Sequence, residues 1–366
     1  MLIAFRTDAS LQIGAGHVMR CLTLAAKLRE QGAVTLFICR EHIGHYRDQI
    51  IQGGHGIVML PPPVSDRRSI DFGARTAHAS WLGTDWKFDA QDTCKAVDGK
   101  IVDWLVVDHY ALDIRWEKAV LHVCKRLMVI DDLADRPHVC DLLLDQNLGR
   151  ITGDYSGLVP KPSNKLIGPK YALLRPEFAK LRGESLSRRT VPQVKRLLVA
   201  MGGVDNDNIT TLILDSLSEC TLPIDLTITV VLGSRAPWLA QVEKKALTMQ
   251  WTTTLAVDVK DMAQLFADSD LAIGAAGGTA WERCCMGLPS LVMVLAKNQE
   301  QGAEALLSIG ASYPVHNASS IASFFSSDLN SSQFQDLMAR MTRCSALVAD
   351  GQGACRVARE MLEYNE

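Results

Sequence analysis

Leu2-Ile3-Ala4-Phe5 and Ile13-Gly14-Ala15-Gly16-His17-Val18-Met19-Arg20, followed by the periodic segment Cys21 to Leu28, read as a strand, a glycine turn and a helix opening at its N-terminus. A helix start carries unpaired N–H groups and a partial positive charge, so anions settle there. His17 stands in the first turn, where the same field disfavours the imidazolium form. A neutral imidazole near pH 7 can act as a general base. One helical turn on, Arg20 adds a cation and tilts the pair Gly14 and Gly16 from a merely structural turn toward an anionic ligand. A dinucleotide fingerprint fits poorly. The third glycine's place is taken by Met19, and Cys39-Arg40-Glu41 offers no lone acid to clamp a ribose.

Outward from this turn, short apolar runs alternate with helical segments. Strands are expected at Ala33 to Cys39, Gly56 to Leu60, Val102 to Val107, Arg126 to Ile130 and Asp141 to Leu144. Pro61-Pro62-Pro63 ends the second of these; a polar stretch from Ser65 to Asp71 follows, with helical pattern from about Gly73 to Leu82 and from Asp89 to Val97. Between Tyr171 and Lys195 basic residues crowd a segment with little strand signal, which reads as a connection. The alternation then resumes, with strands at Arg196 to Ala200, Leu226 to Val231, Thr253 to Val257, Leu271 to Ile273 and Ser290 to Val294. The helices between them are expected from about Asn208 to Ser218, Pro237 to Leu247, Lys260 to Phe266 and Thr279 to Met286. Three helical segments close the chain, the last from about Ala354 to Glu366.

Buried β-rich runs separated by helices imply parallel sheets covered on both faces. The expected architecture is α/β: two doubly wound, Rossmann-like domains facing a cleft, with ligands beyond the carboxyl ends of the strands. The boundaries read as 1–175 for the N-terminal domain, 176–195 for the connection, 196–350 for the C-terminal domain and 351–366 for a closing helix.

The 366 residues are 48% hydrophobic and 22% charged, enough for proper cores and unlike a disordered chain. Net charge is −3 with mixed signs throughout, which argues against a nucleic-acid surface but leaves room for a small anionic ligand. The ten cysteines form no CxxC pair and read as reduced, mostly buried thiols. No signal-peptide pattern opens the sequence and no apolar run is long enough to span a bilayer, so a cytoplasmic protein without membrane insertion is expected. No element looks like an exposed coiled coil, which makes a monomer the default.

A second constellation is Ile273-Gly274-Ala275-Ala276-Gly277-Gly278-Thr279-Ala280-Trp281-Glu282. A strand runs into three glycines and then a helix, so backbone N–H groups can cradle a diphosphate. Glu282, one turn into that helix, either accepts from ribose hydroxyls or merely favours the helix dipole. Asn298 and Gln299 lie beyond the next strand on the same side. Met201-Gly202-Gly203-Val204-Asp205-Asn206-Asp207-Asn208 is a third glycine turn into a helix, where Asn208 serves as N-cap or as ligand. Metals fare badly: Asp268-Ser269-Asp270 precedes its strand, Asp131-Asp132 has no obvious third ligand, and His109, His122 and His138 are not at metal-ligand spacings. Metal-independent chemistry without a cofactor is expected.

Further motifs stand at Arg6-Thr7-Asp8, Val107-Asp108-His109-Tyr110, Ile130 to Arg136 and Tyr171 to Phe178. In these and in Gly14 to Arg20 the chain resembles, over nearly its whole length, the UDP-2,4-diacetamido-2,4,6-trideoxy-β-L-altropyranose hydrolases of pseudaminic acid synthesis. The C-terminal half also resembles the UDP-GlcNAc transferase of peptidoglycan synthesis, in Asp261-Met262-Ala263, the turn with Glu282 and Gly287-Leu288-Pro289. These resemblances imply a GT-B fold with UDP held by the C-terminal domain. Val259 would meet uracil through its backbone, Glu282 the ribose, and Gly277, Gly278 and Thr279 the diphosphate. Tyr110 and Asn298 match positions that contact sugar and diphosphate. The loop Gly203 to Asn208 departs from the commoner Gly-Ser-Asp-Pro form.

The resemblance also implies that His17 takes the proton from a water attacking the anomeric carbon. The expected reaction is therefore C–O cleavage with inversion, the substrate a UDP-sugar and the second reactant water. A diphosphate leaves as an anion and needs amide donors rather than a strong acid. Cleavage at phosphorus would instead want a carboxylate-held magnesium cluster. The rivals are a glycosyltransferase with an acceptor alcohol in place of water, a UDP-sugar 2-epimerase, and a non-catalytic nucleotide-sugar binding protein.

Overall fold

The computed structural model describes residues 1–63, 78–317 and 320–364. The polar stretch Ser65 to Asp71, the start of the helical pattern from Gly73, and Glu366 lie outside them. The chain divides into two compact units, residues 1–173 with 353–366, and residues 174–352.

The first unit is built on β1 (Leu2–Thr7), β2 (Val34–Arg40), β3 (Gly56–Leu60), β4 (Val102–Asp108), β5 (Cys124–Ile130), β6 (Leu142–Asp145) and β7 (Asn164–Ile167). They form one parallel sheet in the order β3-β2-β1-β4-β5-β6-β7. Ile3, Ala4 and Phe5 of β1 are fully buried, because helices cover both faces of a strand at the centre of such a sheet. The helices are α1 (Gly16–Glu30), α2 (Arg47–Gln52), α3 (Trp86–Ala96) and α4 (Ile114–Val120). On one face Val18, Cys21, Leu24 and Leu28 of α1 pack on Ile3 and Phe5. On the other, Ala90 of α3 and Trp116 of α4 pack on Ala4 and Leu105.

The second unit repeats the plan. Its strands are β8 (Arg196–Ala200), β9 (Thr227–Leu232), β10 (Thr252–Val257), β11 (Leu271–Ala275), β12 (Ser290–Met293) and β13 (Tyr313–Val315). They too are parallel, in the order β10-β9-β8-β11-β12-β13. Its helices are α5 (Pro176–Arg188), α6 (Ile209–Ser218), α7 (Leu239–Leu247), α8 (Met262–Asp268), α9 (Thr279–Cys285), α10 (Glu300–Ser308), α11 (Ser320–Phe325) and α12 (Ser332–Ala346). In both sheets the order reverses beside the first strand, between β1 and β4 and between β8 and β11. Such reversals open a crevice at the carboxyl ends of the strands.

Two boundaries differ from the sequence reading. Residues 176–195 are not a bare connection: α5 packs Phe178 against Phe266, and Ser185 Oγ donates to the Met286 carbonyl at 2.7 Å. The basic residues answer carbonyls at helix ends there, Arg182 Nη2 reaching the Ala346 oxygen at 2.6 Å and Arg189 Nη2 those of Phe266 and Ser269 at 2.7 Å. Conversely α13 (Gly353–Glu363) belongs with the first unit. Val357, Ala358 and Met361 join its core, and Trp104 Nε1 donates to the Met361 carbonyl at 3.1 Å. A Cβ at Gly353 would overlap the Ala172 backbone, so only glycine can start this helix.

Candidate active site

The first unit gathers its charge where β1, β4 and β5 end. Gly14 has φ +79°, the left-handed conformation that lets the chain turn into α1, and Gly16 is the first residue of that helix. His17 follows with 8% of its surface exposed. Its Nδ1 lies 2.6 Å from Oδ1 of Asp108, the last residue of β4. Arg20 grips the same carboxylate in bidentate fashion, Nε to Oδ2 at 2.6 Å and Nη2 to Oδ1 at 2.7 Å. Burial alone would raise the Asp108 carboxyl; Arg20 and His17 override it and hold the group well below the usual carboxylate range. Asp108 is therefore an acceptor only. A neutral His17 then carries its proton on Nδ1 and presents the Nε2 lone pair.

Arg20 was expected to face an anion, but it is occupied within the protein. Its third nitrogen, Nη1, reaches Asp132 Oδ2 at 2.6 Å, so two carboxylates answer one guanidinium. Tyr110 OH donates to the same Asp132 oxygen at 2.6 Å, and its ring meets His17 edge-on with centroids 4.6 Å apart. Asn147 Nδ2 completes the set at 3.2 Å from Asp132 Oδ1. Burial and the neighbouring Asp132 push the Asp145 carboxyl up to about 7, even though Tyr155 OH donates to it at 2.8 Å.

Beneath this lies a second buried network. Arg6 bridges Asp8 at 2.6 Å and Asp89 at 2.7 Å, Arg40 Nη2 meets Asp89 at 2.7 Å, and Trp116 Nε1 donates to Asp89 at 2.9 Å. His109 Nε2 stands 3.2 Å from Asp8 Oδ2. Glu117 accepts from His138 Nδ1 at 2.6 Å, which gives that histidine a structural partner. Among the described residues no group of three His, Cys, Asp or Glu side chains is arranged to hold a metal ion.

In the second unit the expected nucleotide residues gather at the ends of β8, β10, β11 and β12. Gly277 precedes Gly278, the N-cap of α9, and Thr279 opens that helix. Arg283 is fully buried beneath the turn, donating from Nη2 to the Ala275 carbonyl at 2.7 Å and from Nη1 to Thr279 Oγ1 at 3.2 Å. Burial lowers it to about 10. A Cβ at Gly274 would come within 2.6 Å of Arg283 Nη1, so the glycine makes room for the guanidinium. Burial raises the Glu282 carboxyl against the opposing pull of Arg175 and Arg283; the Arg175 Nη2 stands 3.8 Å away. Gln299 Oε1 accepts from the Leu295 N–H at 3.0 Å and its Nε2 lies beside Gly277, whereas Asn298 is exposed. Val259 follows Asp258, whose φ of +51° turns the chain out of β10.

The third glycine turn is organised differently from the simplest expectation. Asn208 sits at the N-cap of α6 with φ +55°, but its side chain does not cap; Oδ1 accepts from Thr211 Oγ1 at 2.7 Å. Asp205 caps instead, accepting from the N–H groups of Ile209 at 3.0 Å and Thr210 at 2.8 Å. Gly203 gives its carbonyl to the Gly233 N–H at 2.8 Å, tying the turn to the end of β9.

Sequence reasoning carried Asp108 and Asp132 within resemblance motifs and weighed Asp131-Asp132 for a metal, but gave neither a role beside His17; it did not name His78 or Trp81. Asp108 ends β4 and Asp132 stands two residues beyond β5, at the carboxyl edge of the sheet where a site was expected. The two aromatic partners lay in a segment with only a helical pattern to read.

Two parallel sheets of this order define the fold class. The structure matches the crystal structure of Acinetobacter baumannii MurG with a TM-score of 0.67 at 15% identity, over 99% of each chain, and the fold is GT-B. In sequence the chain is similar to the UDP-2,4-diacetamido-2,4,6-trideoxy-β-L-altropyranose hydrolase of Campylobacter jejuni, 27% identical over 85% of this chain and 97% of that one. The resemblance carried by the motifs thus extends over most of the molecule. It is also 26% identical, over 82% of its length, to protein MJ1062 of Methanocaldococcus jannaschii, of which the match spans 57%. No family model matches the chain.

Proposed function

We propose that this protein hydrolyses a UDP-linked diacetamido-trideoxy hexose of the class named for the Campylobacter relative, UDP-2,4-diacetamido-2,4,6-trideoxy-β-L-altropyranose. The observation that carries this reading is the His17–Asp108–Arg20 chain at the reversal point of the first sheet. Water attacks the anomeric carbon from the face opposite the diphosphate and passes its proton to His17 Nε2. The C–O bond to the β-phosphate breaks with its electron pair, UDP leaves, and the configuration inverts. Asp108 holds the imidazole in the tautomer that can accept that proton. The diphosphate rests on the amides of Gly277, Gly278 and Thr279, with Glu282 on the ribose and the Val259 backbone at uracil. No metal takes part in this scheme.

Incubation with the altrose derivative and with UDP-GlcNAc, with UDP detection, tests the reading. Release of UDP from the first is expected without any added acceptor and undiminished by EDTA. In labelled water the label belongs in the sugar; label in UDP would mean attack at phosphorus and defeat the mechanism. A requirement for an acceptor alcohol would make the protein a transferase.

A separate prediction concerns nucleotide binding. Glu282→Ala is expected to weaken UDP by roughly 10–100-fold, the worth of hydrogen bonds to a charged group, and to weaken 2′-deoxy-UDP less. Calorimetric titration with both nucleotides checks it. Equal losses for the two would remove Glu282 from the ribose.

A further inference from the structure

His17 is enclosed by rings. Tyr110 meets it edge-on at 4.6 Å, and Trp81 approaches at 6.4 Å with its plane inclined at 75°. Trp81 also stacks on Tyr110, centroids 5.8 Å apart and planes within 25°. His78 closes the cluster at 4.4 Å from Trp81 and 5.3 Å from Tyr110. These rings are held. Tyr110 is tied through its hydroxyl to Asp132. Trp81 belongs to a short 3₁₀ turn, Ala79–Leu82, whose last residue is buried in the core of the unit. Gly83 then turns with φ +71° so closely against Pro63 that a Cβ there would come within 2.8 Å of the proline ring. Asp108 engages Nδ1 of His17, and among the described residues nothing hydrogen-bonds Nε2. A nucleophile must therefore reach Nε2 through the 8% of His17 that remains exposed.

We propose that Trp81, backed by His78, restricts the nucleophile at His17 to water. The inference rests on the hydrolase reading and supplies what that reading lacks, a reason within this unit why an alcohol does not compete. Water and an alcohol present the same O–H to the imidazole, but the alcohol brings a carbon into the space beside it. A packed aromatic wall yields little to one added carbon. With the wall shortened, methanol follows the same course as water. Its oxygen bonds to the anomeric carbon, its proton goes to Nε2, and UDP departs with the electron pair of the broken bond.

The test compares wild type, Trp81→Ala and Trp81→Phe in buffered methanol, with free sugar and methyl glycoside measured by mass spectrometry. Wild type should give free sugar almost alone. Trp81→Ala should raise the glycoside-to-sugar ratio by roughly 10–200-fold, the discrimination a tight pocket exerts per carbon, and Trp81→Phe should stay near wild type. Glycoside from the wild type in proportion to the methanol supplied overturns the proposal, as does a Trp81→Ala enzyme that releases UDP but forms no more glycoside than wild type.

A second readout does not depend on turnover: carbethoxylation of His17 by diethyl pyrocarbonate, mapped by mass spectrometry on folded protein. Faster modification in Trp81→Ala supports the screen and an unchanged rate overturns it, even where a variant or the wild type releases no UDP. Failure of the wild type to release UDP would by itself defeat only the hydrolase reading.

Discussion

His17→Asn is expected to lower turnover by about 10²–10⁴-fold, the usual contribution of a positioned general base, while UDP binding stays as it was. Asparagine can still offer an N–H to Asp108, so the buried carboxylate keeps a partner and the fold around it is preserved. It lacks any group that could accept a proton at the place of Nε2. Water must then attack without deprotonation, and the loss falls on the chemical step rather than on binding. The nucleotide contacts proposed above all belong to the second unit, which this substitution does not touch. Initial rates of UDP release, set beside calorimetric UDP affinity, separate the two effects. Turnover close to wild type would remove His17 from the role of base. An equal loss of UDP affinity would instead make it a binding residue.

Much of this architecture was legible because buried parallel strands are written as apolar runs. Leu2-Ile3-Ala4-Phe5, Val102 to Val107 and Arg196 to Ala200 all became central strands within a residue or two of their expected ends. The strands that escaped notice are edges. β7 reads Asn-Lys-Leu-Ile, four residues half of them polar, and β13 contains Pro314, which only an edge tolerates. The glycine turns were visible for a similar reason, since a positive φ such as that of Gly14 demands its residue. Charge pairing was not visible. Nothing near Arg20 in the chain reveals that Asp108, 88 residues on, and Asp132, 112 residues on, will take all three of its nitrogens. A cation near a helix start looks like an anion receptor until tertiary structure brings the carboxylates. The same blindness applies to Asp205, which took the cap of α6 because Asn208 adopted a left-handed backbone that turned its side chain elsewhere.

Asp108→Asn should carry two signatures, one catalytic and one of stability, and their pH dependence distinguishes them from those of His17→Asn. Asp108 accepts from His17 Nδ1, from two nitrogens of Arg20 and, at 3.5 Å, from Cys21 Sγ. An amide supplies only one oxygen, so whichever way the introduced side chain turned, its NH₂ would confront an Arg20 N–H. The imidazole loses its fixed tautomer, and a fall in turnover of roughly 10²–10⁴-fold is expected. Removing one partner of a buried ion pair costs about 3–5 kcal/mol; Arg20 keeps Asp132, which puts the loss near the lower end. The Asp108 carboxyl is held well below its unfolded value. Its contribution is therefore complete above about pH 4 and disappears as pH falls through the folded value. Wild type should exceed Asp108→Asn in stability by the full amount at pH 7, and the gap should close under acid. Hydrogen exchange of the β1 and β4 amides in the full chain reads the opening of this unit alone. A gap that persisted unchanged at pH 3 would mean that the variant fails through lost packing, and that the carboxylate is not what holds His17 and Arg20 together.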